Sequence, residues 1–276
     1  MSSNKYGSAD FVRDVQARFT PARPDTFWGC EEYLRQFLDD GGAARRVNEE
    51  LHKLVGEELH LGDWLPNDVV LCRGPGWILS LALLDGPKRY IHALPFHVMY
   101  VPLDDTVLAG DRYQLPSQYR NEVFDPSMRL EPAGTVSASR HEILTLHSDQ
   151  YVYDFEVPRP QAVLRLATTP LRPLEWLFSK GTLQAWQAND ADLGFTQLRV
   201  AANVLGKIAH QSSIGPLRQM TAHPHHAVRW AAIQSLGRLN RSEALVKIRE
   251  AVNDPHPHVR RAAQKTLEQL ERRAVR

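Results

Sequence analysis

A chain of 276 residues has room for one large domain or two ordinary ones, and 43% hydrophobic with 24% charged residues is the composition of a soluble globular protein. The formal net charge of +1 hides an asymmetry: Leu198 to Arg276 carries 14 Lys and Arg against 5 Asp and Glu, so the remainder is acidic. No run of about 18 apolar residues occurs and the first residues lack the apolar core of a signal peptide, which argues against a spanning helix and leads to the expectation of a cytoplasmic protein.

Residues 1–62 read as a helical segment. Phe11, Val15 and Phe19 are spaced by four, and Tyr33, Leu34, Phe37 and Leu38 form a second helical face. Gly41-Gly42 breaks the chain before a third stripe of Val47, Leu51, Leu54 and Val55. Cys30 and Cys72 stand far apart without CxxC pairing and read as reduced, at least partly buried thiols.

Residues 63–186 change pattern. Short apolar runs rich in β-branched and aromatic residues, such as Trp77 to Leu84, Tyr90 to Val101, Tyr151 to Val157 and Val163 to Leu166, alternate with turn signals. Seven or eight such strands predict a sandwich or barrel rather than a doubly wound sheet.

Residues 187–276 repeat. Val200 to Ile208 is echoed by Ala231 to Leu239 and again by Ala262 to Leu270, at an interval of 31 residues. Such a period marks a helical solenoid, in which no unit buries its apolar face alone. Each unit reads as helix, Pro-containing turn and helix, with His223-Pro224-His225 and Asp254-Pro255-His256 at the turns.

The turn-Pro, Val-Arg-x-Ala-Ala and Leu-Gly layout of roughly 197–273 resembles HEAT repeats, in particular the short form of phycobilisome-lyase-like proteins. That resemblance implies protein docking, and in some members nucleic-acid binding. The β region behind its helices, with Glu131-Pro132-Ala133-Gly134 leading into a strand and a His, resembles the cupin jelly roll over about 65–180. The usual first motif of that family, two His one residue apart, does not occur here. The expected fold is therefore α+β and multidomain: N-terminal helices on a cupin-like β-barrel or jelly roll, then a short HEAT-like α-solenoid.

No nucleophile elbow or phosphate-binding loop is present, and no catalytic residue is named. His141, Ile143, Thr145, His147 and Asp149 share parity, so one unbroken strand would project all five from one face. His147-Ser148-Asp149 matches the HxD half of a 2-His-1-carboxylate iron site, with His92 or His97 as the distal ligand. A cupin-type set would instead use His92, His97 and His147, with Glu122, Glu142 or Asp149 as carboxylate. These readings make the favoured function a non-haem Fe(II) (or other divalent metal) oxygenase acting on a small-molecule or carrier- or peptide-linked substrate. The rival is a non-catalytic, ligand-sensing or adaptor protein.

In the tail, Arg199, Arg229, Arg260 and Arg261 precede the Ala-Ala positions and form a candidate ladder for a partner protein, with nucleic acid the less favoured partner. An Arg at this place also serves to bond the turn of a neighbouring repeat. His210, His223, His225, His226, His256 and His258 cluster there as well, mostly at helix-start turns. They read as caps, and a metal would require His from stacked neighbouring turns to converge.

Overall fold

A computed structural model describes residues 6–56, 64–65, 68–86 and 88–274. The chain divides into two compact units, one of residues 1–119 and 125–189, the other of 120–124 and 190–276.

The first unit opens with helices α1 (Ser8–Arg18), α2 (Glu31–Asp39) and α3 (Gly42–Gly56), with a 3-10 segment over Pro24–Cys30. Twelve strands follow: β1 (Trp64–Leu65), β2 (Asp68–Gly74), β3 (Trp77–Leu84), β4 (Tyr90–Ala93), β5 (Val98–Pro102), β6 (Leu108–Gln114), β7 (Glu131–Ala138), β8 (Leu144–Leu146), β9 (Tyr151–Phe155), β10 (Gln161–Thr168), β11 (Leu174–Ser179) and β12 (Ala185–Asp190). The large sheet has the order β1-β2-β3-β10-β5-β8; the smaller ladders are β12-β11-β4 and β7-β6-β9, and β4 runs beside β9.

Counting β3 to β10 as strands one to eight, the large sheet contains the order 1-8-3-6, and the two smaller ladders, with β4 beside β9, follow 2-7-4-5. That is the strand order of a jelly roll, here as separate ladders rather than a closed barrel. All recorded pairings among these strands are antiparallel.

Parity explains the long apolar runs. On the large sheet Trp77, Leu79, Met99, Val101, Leu164 and Leu166 join one core with Phe11, Val15, Phe27, Leu34 and Phe37 from the helices. The alternate residues Ala82, Val98, Tyr100, Val163 and Ala167 join a second core with Leu108, Tyr153 and Phe155 of the opposing sheet. Both faces of the sheet are covered, so its strands need apolar residues at successive positions. The expected third stripe is different: Leu51 and Val55 are exposed, and the side chain of Leu54 lies outside the described residues. Both thiols are free, and burial pushes each up to about 12, which makes them unreactive at neutral pH.

The second unit contains α4 (Leu193–Ile208), α5 (Ile214–Met220), α6 (His226–Leu239), α7 (Arg241–Ala251) and α8 (Pro257–Ala274). Asp192 caps α4 by accepting from the Gly194 N–H at 2.7 Å, and Asn240 caps α7 by accepting from the Glu243 N–H at 3.1 Å. Gly206 explains one Leu-Gly motif: a Cβ there would stand 2.6 Å from the Ser235 Cβ, so only glycine lets α4 approach α6 this closely.

Ala202 and Gly206 are the buried residues of α4. On its opposite side Leu193, Val200, Val204 and Ile208 are exposed, with Leu193 72% and Ile208 64% accessible. Among the described residues no helix is long and apolar enough to cross a membrane.

Candidate functional site

The strand expected over 141–149 is only three residues long, β8. His141 has a left-handed backbone (φ 65), and His147-Ser148-Asp149 forms the turn after β8, closed by Gln150 and Tyr151 N–H groups donating to the His147 carbonyl at 3.1 and 3.0 Å. His141, His147 and Asp149 therefore share no strand face, because turns break parity at both ends.

His97 and His147 do come together, around an aromatic side chain. Trp28, from the 3-10 segment, lies 4.5 Å from the His97 ring and 4.4 Å from the His147 ring. His97 is only 6% exposed, and burial pushes its imidazole down to about 4, against the attraction of the Asp149 carboxylate. Its Nδ1 lies 3.3 Å from the Ser148 hydroxyl, which donates to the Phe96 carbonyl and accepts from Arg172.

His92 is placed elsewhere. It sits on β4, with Nδ1 2.9 Å from a carboxylate oxygen of Glu175 on β11. It lines a cavity of about 40 Å³ walled by Leu84, Leu94, Tyr100, Tyr153 and Phe155, room for one or two waters. Glu122 belongs to the short segment of the second unit, with its side chain exposed. His92, His97, His147, Asp149 and Glu122 thus form no group of three convergent ligands among the described residues. A three-ligand Fe(II) centre does not fit this arrangement, because His92 meets Glu175 while His97 and His147 lie elsewhere, against Trp28.

The arginines of the second unit are bonded inward. Arg229 grips Asp254 through Nε and Nη2 at 2.8 and 2.6 Å, and its Nη1 donates to the His223 and Pro224 carbonyls. One repeat later Arg260 donates likewise to the Asp254 and Pro255 carbonyls, at 2.8 Å each. Arg199 pairs with Asp190 at 2.9 Å. Three members of the expected ladder therefore fasten turns and the chain leading into α4, and the charge of Arg261 acts on the His258 imidazole.

The structure adds a groove to this unit and brings together three of the turn histidines that the repeat pattern had placed on stacked turns. A groove of about 300 Å³ crosses α4, α6 and α8, lined by Arg199, Asn203, His226, Trp230, Gln234 and His258. His226, His256 and His258 each place one ring nitrogen within 4.8 Å of the others, the one such group among the described residues. The 31-residue register superposes their turns, which is the signal that leads to them.

Residues 196–272 match the family model of HEAT repeats. The chain therefore carries a jelly-roll unit, as its strand order shows, and a HEAT-repeat unit. No curated protein matches the chain. Among solved structures it is similar to hydroquinone 1,2-dioxygenase PnpCD in complex with Cd2+ and 4-hydroxybenzonitrile, at 17% identity and TM-score 0.29, over 38% of this chain and 66% of that one. It is also similar to a conserved protein with a double-stranded β-helix domain from Klebsiella pneumoniae, at 11% identity and TM-score 0.25, over 46% of this chain and 95% of that one. A cupin-superfamily sugar phosphate isomerase from Silicibacter pomeroyi is similar at 12% identity and TM-score 0.26, over 46% of this chain and 79% of that one. Scores this low carry no argument for function.

Proposed function

We propose that this chain is an adaptor whose HEAT repeats hold a helical segment of a partner protein against α4. The observation that carries this reading is the stripe of Leu193, Val200, Val204 and Ile208, exposed on the side of α4 turned away from buried Ala202 and Gly206. Helical arrays are stable when each helix pair covers the apolar face of its neighbour, and terminal units need a polar outer face to end the stack. Here the first helix ends the array with an apolar face. An amphipathic helix laid along it would continue the helix-on-helix packing that α6 already makes on the other side.

The oxygenase reading has less support, because it needs three convergent ligands and His92 is engaged with Glu175 while His97 and His147 flank Trp28.

A photo-crosslinking residue at position 204, introduced in the organism that makes the chain, tests the proposal. Crosslinks to one other protein, lost in Val200→Asp, are expected. Crosslinks to the chain itself would replace the partner with a second copy, and no crosslink at all would refute docking on α4.

A further inference from the structure

The strongest unexplained cluster lies in the second unit, where two successive helix-start turns stack. His226 opens α6, His256 occupies the turn one repeat later, and His258 lies at the start of α8. The His226 and His256 rings are 3.6 Å apart and nearly parallel, and His258 meets His256 edge-on at 5.1 Å.

The hydrogen bonds around these rings fix which nitrogens are free. His256 Nε2 lies 2.7 Å from the Glu122 carbonyl, which can only accept, so Nε2 carries the proton. Nδ1 of His256 then keeps its lone pair, engaged only by a 3.3 Å contact from the His258 backbone N–H. The His258 ring bonds the backbone of Phe124 in the same short segment. Two imidazoles are thus held by backbone groups of residues 120–124. This is the outer-shell arrangement that orients metal-ligating histidines and sets their tautomer.

We infer that His226, His256 and His258 bind one Zn2+ ion, with a fourth coordination position open to the groove beside Trp230. Three neutral imidazoles, with no thiolate or carboxylate among them, form a borderline donor set that suits zinc and disfavours magnesium or calcium. Of the arginines that act on these rings, Arg229 has its charge matched by Asp254, and Arg199, across the groove, has its charge matched by Asp190.

Tetrahedral Zn–N bonds of about 2.05 Å place ligand nitrogens about 3.3 Å apart. The cluster must therefore contract, and parallel rings cannot aim in-plane lone pairs at one ion. Loading turns His226 out of its stack on His256. His226 and His258 both line the groove of about 300 Å³, so water or a donor from a bound molecule reaches the fourth position from that side. Metal binding at these turns does not depend on docking at α4.

The test uses untagged full-length chain, stripped with chelator and titrated with Zn2+ in competition with a chromophoric chelator, with circular dichroism confirming the fold. One equivalent is expected. His226→Ala and His258→Ala should each weaken binding at least tenfold, while His92→Ala and His147→Ala leave it unchanged. If an Ala variant unfolds, His226→Gln, which keeps volume and polarity, should show the same loss. Uptake below a tenth of an equivalent would overturn the site, as would equal affinity in folded His226 and His258 variants. Loss on His147→Ala alone would move the metal to the jelly roll.

Discussion

Replacing Arg229 with Ala separates a fastener from a docking residue. Arg229 and Asp254 are half-buried residues whose side chains are only 11% and 8% exposed, and they meet through two hydrogen bonds of 2.6 and 2.8 Å. Removing the guanidinium leaves a buried carboxylate without its counter-charge and frees the His223 and Pro224 carbonyls. Breaking one side of a buried ion pair costs about 3–5 kcal/mol. In a unit the size of this one each kcal/mol shifts the midpoint by about 4–8 °C, so Tm should fall by at least about 12 °C. Urea or thermal unfolding of the full chain, followed by helical circular dichroism, measures this. The pH dependence supplies a second readout. Burial raises the Asp254 carboxyl, but bonds from Arg229 and from the His256 backbone N–H bring it below its ordinary value. The pair's contribution is present above a pH of about 4 and is lost as pH falls below it, so the gap between wild type and variant should narrow toward pH 3. An Arg229→Ala protein within about 0.5 kcal/mol of wild type that nevertheless loses partner crosslinking would refute the fastener assignment.

Gly206→Val should lower stability by about 1–3 kcal/mol, because its first side-chain carbon would stand 2.6 Å from that of Ser235 and force α4 off α6; denaturant titration measures this. His97, held down at about 4 by burial, should make the first unit sensitive to acid. Its folded value lies below the unfolded one, so stability is complete above about pH 6.5 and falls as pH drops toward 4, by about 2 kcal/mol at pH 5. Urea midpoints at pH 7.5 and 5.0 should show this for wild type and a smaller change for His97→Asn; equal changes would place the acid sensitivity elsewhere.

The solenoid is legible in the sequence because a 31-residue interval repeats both its helix faces and its turns. The jelly roll is legible as a set of strands, yet its strand order is not, since alternation reports which face a residue takes and says nothing of which strand lies alongside. Parity misled at His141 to Asp149, where a left-handed residue and a tight turn replace the ends of the expected strand. The arginine ladder shows another limit. Spacing places Arg229 and Arg260 on equivalent helices of successive repeats, but only the carbonyls five and six residues earlier reveal that they point inward. The pairing of His256 with Glu122 had no local signal at all.

That pairing spans 134 residues. At a synthesis rate of roughly 5–20 residues per second, Glu122 waits about 7–27 s for its partner to be made. The neighbouring helices α4 to α7 can pair locally during that interval, whereas 120–124 can take its place only after the start of α8 has left the ribosome. A chain interrupted before His256 would therefore leave a segment from its own middle without a seat.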